Sequence, residues 1–208
     1  SVVRRIMNVT LPKKARTTVT GGPLKGYVLF LSLRKEKPLW LATHEPDVAT
    51  VLQDTVRPGW VCYDIGAHIG YVSLMLAHFA GRSGEVLAFE PDPVNRDRLT
   101  QNVAANHLDQ VIRVVPCAAS STSGTSGFDV GRHSMTGRLA VAARDDAVTV
   151  DTVALDDFVY AQGHPEPDLI KIDVEGAEAD VLAGAERLLT RARPAVLCEV
   201  HSQEAAEE

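Results

Sequence analysis

The chain has 208 residues, of which 45% are hydrophobic and 23% charged, so it can bury one sizeable core but is short for two full domains. Its 21 basic and 27 acidic residues give a net charge of −6, and this composition excludes a disordered or collagen-like chain. The longest apolar stretches, such as 72–80, fall short of the ~20 residues that span a bilayer. We therefore expect one main domain with a small appendage, and no membrane partner.

The N-terminus is strongly basic. Residues 1–37 hold nine Lys or Arg and one acid, whereas 38–208 hold 12 basic and 26 acidic residues. Because no aromatic residues interleave with the basic ones and no nucleic-acid motif is present, we expect a solvated arm or an edge hairpin and no nucleic-acid partner. Two apolar runs, 26–33 and 38–42, separated by charged residues, predict that hairpin.

We place the domain boundary after residue 42, with a basic arm and hairpin over 1–42 and the main domain over 43–208. A helix is predicted to open at Glu45, where Pro46 fits the first turn. Beyond it, short apolar runs alternate with amphipathic segments, which predicts right-handed βαβ units and a doubly wound, mostly parallel sheet of the α/β class. The predicted strands of this sheet are 60–65, 85–89, 111–116, 169–172 and 195–200, and the predicted helices are 72–79, 93–106, 155–160 and 177–190.

One segment interrupts this alternation. Residues 117–147 are rich in Ser, Thr, Gly and Ala and are predicted to form a loop or an irregular hairpin before a short strand at 148–150.

The chain has three cysteines. Cys62, Cys117 and Cys198 are widely spaced, each in an apolar run. A disulfide framework or a zinc site needs more cysteines or closer spacing, so we expect buried thiols in a reducing cytoplasm.

The glycine-rich turn at 64–70 follows the first strand of the predicted sheet. In such sheets ligands bind beyond the carboxyl ends of the strands. Glu90 ends the next strand, 24 residues after Gly66, the spacing expected of a carboxylate that accepts hydrogen bonds from a ribose. Together these features predict an adenosine pocket; the alternative is that the glycines only allow tight packing and that Glu90 is solvated.

The identity of the adenosine ligand follows from Asp64. A dinucleotide fingerprint needs Gly-x-Gly-x-x-Gly, but here Asp64 precedes Gly66 and only Gly66 and Gly70 remain. A carboxylate would repel a pyrophosphate but suits the ammonium and sulfonium groups of S-adenosylmethionine. An NAD-dependent oxidoreductase and a non-catalytic module that binds an adenosine ligand are the alternatives.

Six motifs make the chain similar to the FkbM family of S-adenosylmethionine-dependent methyltransferases over about 43–201. They are 64–70, Glu90-Pro91, 153–157, 169–178, 181–185 and 194–199, of which Ile-Lys-Ile-Asp-Val-Glu-Gly-Ala-Glu is the most specific. The resemblance implies the class I methyltransferase fold, with central strand order 3-2-1-4-5, and methyl transfer to a hydroxyl of a sugar, polyketide or other small metabolite. The cofactor-binding residues that it implies are Asp64, Gly66, Ala67, His68, Gly70, Glu90, Pro91, Ala118 and Asp173.

Within that resemblance, Asp64, Gly66 and Gly70 line the methionine end, Glu90 holds the ribose and Ala118 borders the adenine. His68 departs from the family, which usually has Asn there. The chain also ends soon after the fifth strand, before the antiparallel pair that completes this fold, and we expect a C-terminally truncated domain.

A hydroxyl acceptor must lose its proton to a base or through a metal. We predict that Asp173, near the transferring methyl group, positions the acceptor and that His201 or His133 is the base. Asp173, Glu199 and His201 follow adjacent strands and could also bind Mg²⁺, although acids at strand ends also serve as caps and loop anchors. For Glu178 we expect stabilisation of a helix N-terminus, and for Glu45 either a cap or a cover over the pocket.

Overall fold

The computed structural model describes residues 15–129, 138–139 and 148–201. Its strands are β1 (Ala15–Thr18), β2 (Val28–Leu31), β3 (Val61–Ile65), β4 (Glu85–Phe89), β5 (Ile112–Val115), β6 (Ala118–Ala119), β7 (Gly124–Asp129), β8 (Arg138–Leu139), β9 (Val148–Val153), β10 (Leu169–Ile172) and β11 (Ala195–Cys198). Its helices are α1 (Lys37–Leu41), α2 (Pro46–Thr55), α3 (Tyr71–Ala80), α4 (Pro93–Ala105), α5 (Glu178–Ala183) and α6 (Glu186–Arg191), and a π-helical turn spans Asp157–Ala161.

The central sheet contains five parallel strands in the order β11-β10-β3-β4-β5. Numbered along the chain, these strands follow the order 3-2-1-4-5 when read from β5, so the predicted class I topology is confirmed. All five predicted strand positions are confirmed as well, with ends that differ by a few residues.

Helices and a second sheet cover both faces of this sheet, which is why its strands read as nearly continuous apolar runs. One face packs against α3, α4 and the N-terminal segment, with Cys62, Leu74 and Leu29 in one buried cluster. The other face packs against α5, α6 and the second sheet. Cys62 is buried as expected, whereas Cys117 and Cys198 are only partly buried, and all three thiols are free.

The N-terminal segment contains an antiparallel pair, in which the predicted strand at 26–33 is confirmed as β2 but the predicted partner at 38–42 was wrong. β2 pairs with β1 from the basic segment, with Ala15 opposite Leu31, while the second predicted strand, 38–42, lies largely in helix α1. Pro38 explains the difference, because it has no N–H for a strand ladder but fits the first turn of a helix.

Helix α4 holds this N-terminal pair against the main domain. Asn106 Oδ1 accepts from the Val28 N–H at 2.8 Å, and its Nδ2 donates to the Val28 carbonyl at 2.7 Å, so one side chain pairs with the edge of β2. Asn102 Oδ1 accepts from the Phe30 N–H at 2.8 Å, while its Nδ2 donates to the Ile69 carbonyl in the glycine-rich turn. The N-terminal segment therefore connects with the turn through one buried side chain.

The single helix predicted at 177–190 is two helices, α5 and α6. The chain between β9 and the π-helical turn packs into the break, where the Asp156 N–H donates to the Gly184 carbonyl at 2.8 Å. A Cβ on Gly184 would lie 2.0 Å from the Ser120 carbonyl oxygen, so this approach requires glycine. The Asp156 carboxylate then accepts from the N–H groups of Arg187 and Leu188 and caps α6.

Within the segment predicted as a loop or irregular hairpin, β6, β7 and β8 form a second sheet with β9, in the order β6-β9-β7-β8. His133 lies outside the described residues, so its predicted role as a base stays a prediction. In the part of the chain that the structure describes, every helix is too short or too polar to span a membrane.

Candidate active site

The carboxyl ends of β3, β4, β10 and β11 meet at one edge of the central sheet. Because the strands are parallel, this edge collects the glycine-rich turn after β3, Glu90 after β4, Asp173 after β10 and His201 beyond β11. The predicted site residues other than Ala118 and His133 therefore lie along one edge.

Both glycines of the turn are required by its backbone. Gly66 has φ +81°, and a Cβ there would lie 1.9 Å from the Asp173 carbonyl oxygen. Gly70 has φ +86°, and a Cβ there would lie 3.1 Å from Leu99 Cγ. Tight packing thus explains both glycines, and at Gly66 that packing joins the turn to the end of β10.

Glu90 accepts hydrogen bonds from the backbone of the glycine-rich turn and of the segment that follows β4. Its Oε2 accepts from the His68 N–H at 2.7 Å and its Oε1 from the Asp92 N–H at 2.8 Å. Burial is the main cause that raises the pKa of Glu90, to about 7. Since a carboxylate offers about four acceptor positions, these two donors and the side chain of Asn95 leave room for a hydroxyl group of a ligand.

A buried group of charges lies beside the turn. Asp64, fully buried, accepts from Ser73 Oγ at 2.5 Å through Oδ2, while its Oδ1 lies 3.6 Å from Lys171 Nζ and accepts no hydrogen bond from the described residues. Lys171 Nζ also donates to Asp173 Oδ2 at 3.2 Å. Burial raises the pKa of Asp64. Burial alone would lower the pKa of Lys171, but Asp64 and Asp173 together outweigh it and raise that pKa.

His201 lies among four carboxylates. Its Nδ1 is 3.0 Å from Glu178 Oε1, and its Nε2 is 3.8 to 3.9 Å from oxygens of Asp173, Glu175 and Glu199. The hydrogen bond with Glu178 is the main cause that raises the pKa of His201. Glu178 also accepts from the Gly176 N–H at 2.9 Å. It therefore holds both the start of α5 and the imidazole.

Two of the three predicted metal ligands lie close together, and Glu175 takes the place predicted for Glu199. Among the described residues, Asp173, Glu175 and His201 offer ligand atoms that all lie within 4.8 Å of one another. Glu199, predicted as the third ligand, contacts His201 at 3.8 Å but falls outside that group. Binding of a metal here stays a prediction.

Ala118 and Glu45 lie on segments outside the central sheet. Ala118 is buried in β6 and pairs with Thr152 of β9, so the second sheet holds it. Glu45 precedes α2 in a left-handed conformation, with φ +46°, and its Oε1 lies 2.7 Å from His44 Nε2. That hydrogen bond is the main cause that lowers the pKa of Glu45, and the charge of Lys171 contributes.

The motifs did not indicate the buried contacts of Lys171 with Asp64 and Asp173 or the pairing of Glu178 with His201. Lys171 could have been found, because a lysine inside the apolar run Leu-Ile-Lys-Ile needs a buried counter-charge, and Asp64 interrupts the neighbouring strand in the same way. Nothing local indicates that Glu178 bonds to His201, since 23 residues separate them.

Comparison with known proteins supports the expectations from the motifs. Residues 64–208 match the model of a family described as the methyltransferase FkbM domain. The chain is 28% identical over 182 residues to the hexuronic acid methyltransferase AglP of Haloferax volcanii, covering 86% of this chain and 73% of that protein. It is 30% identical over 182 residues to the 31-O-demethyl-FK506 methyltransferase FkbM of Streptomyces tacrolimicus, covering 73% of this chain and 69% of that protein.

Among solved structures, the chain is similar to a methyltransferase FkbM from Methylobacillus flagellatus KT. The two are 21% identical, with a TM-score of 0.49, and the match covers 75% of this chain but 40% of the other. The strand order of the central sheet, and not this partial overlap, identifies the fold.

Proposed function

This chain belongs to the FkbM methyltransferase family, and on that premise we propose that it transfers a methyl group from S-adenosylmethionine to a hydroxyl oxygen of a small metabolite. The resemblance inferred from its motifs is confirmed at the level of the family. The observation that supports the proposed reaction is the presence of Glu90, Asp173 and the Glu178–His201 pair at one edge of the sheet.

The residues present fit S-adenosylmethionine in two respects. Glu90 is fixed by two backbone N–H groups and keeps an acceptor position for a ribose hydroxyl group. Asp64 and Asp173 exceed the charge of Lys171 by one negative charge, which suits a cationic sulfonium better than a pyrophosphate. When bound, S-adenosylmethionine would supply the activated methyl group.

The residues of the chain would orient the acceptor and remove its proton. With Glu178 accepting from Nδ1–H, the Nε2 atom of His201 is the one that takes up a proton. Asp173, with its Oδ1 3.9 Å from that nitrogen, would accept a hydrogen bond from a second donor group of the acceptor, so that the reacting hydroxyl keeps its own proton for His201 Nε2. Protonated His201 would then be stabilised by the surrounding carboxylates.

The reaction is tested by incubating the purified protein with S-adenosylmethionine and hydroxylated acceptors, and measuring S-adenosylhomocysteine and methylated product by mass spectrometry. The panel includes a hexuronic acid glycoside, neutral sugars and a polyketide, because the chain is similar to a hexuronic acid methyltransferase and to a 31-O-demethyl-FK506 methyltransferase. We expect calorimetric binding of S-adenosylmethionine and methylation of at least one acceptor. Binding of NAD instead would favour an oxidoreductase, and binding of S-adenosylmethionine without transfer would favour a non-catalytic module.

The base is tested by His201→Asn. We expect kcat to fall by a factor of roughly 100 to 10,000, the contribution usual for a positioned base, while affinity for S-adenosylhomocysteine stays within about tenfold. His107→Asn is the matched control, because His107 is exposed and Asn tolerates its φ of +56°. An unchanged kcat in His201→Asn would rule His201 out, and His133→Asn then tests the other predicted base.

A divalent metal is the alternative means of activating the hydroxyl. Activity that survives exhaustive chelation supports His201 acting alone. Activity that chelation abolishes and Mg²⁺ restores supports an ion held by Asp173, Glu175 and His201.

The three free thiols support a cytoplasmic location for this reaction.

A further inference from the structure

We propose that Lys171 is a positioning residue for methyl transfer, which holds the Asp173 carboxylate in the orientation that presents its outer oxygen to the acceptor. This inference rests on the proposed function and adds to it a residue that the motifs alone did not single out. It follows from the placement of three charged side chains on two neighbouring strands.

Strand register brings these side chains to one face. Side chains alternate along a strand, so Lys171 and Asp173, two residues apart, point to the same side of β10. Lys171 is also the register partner of Asp64 in β3. Lys171 is 4% exposed, so its ammonium group depends on the protein for its partners.

Lys171 interacts differently with its two acidic partners. Lys171 Nζ donates to Asp173 Oδ2 at 3.2 Å, whereas Asp64 Oδ1, at 3.6 Å, is beyond hydrogen-bonding distance. Ser73 already donates to the other oxygen of Asp64. Lys171 is thus the counter-charge of Asp64 but the hydrogen-bond donor of Asp173.

The two oxygens of Asp173 consequently face different surroundings. Oδ2 is held from within the protein by Lys171, and Oδ1 lies 3.9 Å from His201 Nε2 at the partly exposed end of the site. Without the lysine, the carboxylate would be free to turn about its side-chain bonds. A misplaced orienting group costs turnover more than binding, because productive alignment is needed in the transition state.

The simpler alternative is that Lys171 only neutralises Asp64. A double-mutant cycle separates the two roles. Lys171→Met leaves Asp64 buried without a counter-charge and is expected to lower the melting temperature by at least about 5 °C. Adding Asp64→Asn removes the unpaired charge and should restore most of that loss, so the double variant folds and can be compared with Asp64→Asn alone.

The decisive comparison is turnover of the acceptor identified in the panel above. We expect kcat of Lys171→Met/Asp64→Asn to be at least about tenfold below that of Asp64→Asn, with KM for S-adenosylmethionine within about threefold. Equal kcat values in the two variants would overturn the proposal, because Lys171 would then act only through Asp64.

A readout that needs no acceptor keeps this inference separate from the proposed function. The imidazole ¹H–¹⁵N spectrum of His201 reports the carboxylate beside Nε2, and we expect it to differ between the double variant and Asp64→Asn. Identical spectra would overturn the positioning role even if methyl transfer is observed. A difference in spectra without transfer to any acceptor would instead retain the positioning role and contradict the proposed reaction.

Discussion

At the residue scale, Glu90 fixes the glycine-rich turn and is also the residue that we propose to bind the ribose. Its two oxygens accept backbone hydrogen bonds from His68, in the glycine-rich turn, and from Asp92, which precedes α4. The carboxylate is nevertheless buried, and its raised pKa means that the folded protein holds the Glu90 proton more tightly than the unfolded chain does. Stability from this group is present below the unfolded pKa of about 4.5 and is lost as the pH rises through about 7.

Affinity for the cofactor should change with pH in the opposite direction. Ribose hydroxyl groups donate more strongly to an ionised carboxylate, so the affinity for S-adenosylhomocysteine should rise between pH 6 and pH 8, around the Glu90 pKa of about 7. Glu90→Gln should lose at least about tenfold in affinity at pH 8 and show a flatter pH profile. Calorimetric titration at several pH values measures both. An affinity of the unmodified protein that does not vary with pH would contradict this role for Glu90.

At the scale of elements, the turn between β3 and α3 is fixed by contact with another strand and not by its local sequence alone. Gly66 lies against the backbone at the end of β10, so the glycine-rich turn and the Asp173 segment pack as one unit. Left-handed backbone at His68 and Glu175, with φ +50° and +52°, flanks the same contact. Such strained residues cluster where a site requires a particular backbone path.

Gly66→Ala tests this contact. The added methyl group would collide with the Asp173 carbonyl and would also occupy a backbone conformation that disfavours Ala, so we expect a loss of more than about 4 kcal/mol in the free energy of unfolding. Gly26→Ala is the matched control, because Gly26 has φ +92° but open space around it, and it should cost about 1 to 2 kcal/mol. Chemical denaturation measures both. Equal losses would mean that backbone conformation, and not the contact with β10, explains Gly66.

At the scale of the whole molecule, the basic N-terminal segment from residue 15 shares the core of the main domain. Leu29 and Leu31 are fully buried in the same cluster as the residues of α3 and the central sheet. Arg98 Nη2 of α4 donates to Glu36 Oε2 at 2.6 Å, and the Glu36 side chain is 2% exposed. A boundary at residue 42 therefore separates stretches of sequence that pack together in space.

Removing one partner of the Arg98–Glu36 ion pair should show how strongly the N-terminal segment and the main domain stabilise each other. Arg98→Met leaves Glu36 buried without its Arg98 counter-charge, with the Ser32 N–H still donating to Oε2, and we expect a loss of about 3 to 5 kcal/mol in the free energy of unfolding. Glu36→Gln/Arg98→Met removes both charges and should recover a large share of that loss. Denaturation followed by circular dichroism measures both variants. A loss below about 0.5 kcal/mol in Arg98→Met would show that the pair behaves like an exposed one.

The local hydrophobic pattern was sufficient to predict the strands of the central sheet. It was insufficient to predict the partner of β2 and the break between α5 and α6. The apolar runs at 60–65 and 169–172 predicted buried strands because burial on both faces leaves a signal in each strand by itself. The partner of β2 was missed because β1 is a short, polar run, Ala-Arg-Thr-Thr. Its residues show no apolar pattern that predicts a strand, and only its pairing with β2 in the folded protein identifies it as one. The break at Gly184 was missed because its cause, the Ser120 carbonyl, lies 64 residues earlier in the chain.

The sequence by itself determined the α/β class, the family and the strand ends at which the proposed site lies, since periodicity and ordered motifs are properties of contiguous residues. Only the tertiary structure decided which side chains meet there. Lys171 meets Asp64 and Asp173, and Glu178 meets His201, because strand order and register bring distant residues within a few ångströms. Hydrogen bonds and desolvation act over those distances in space, and the order of residues along the chain does not record them.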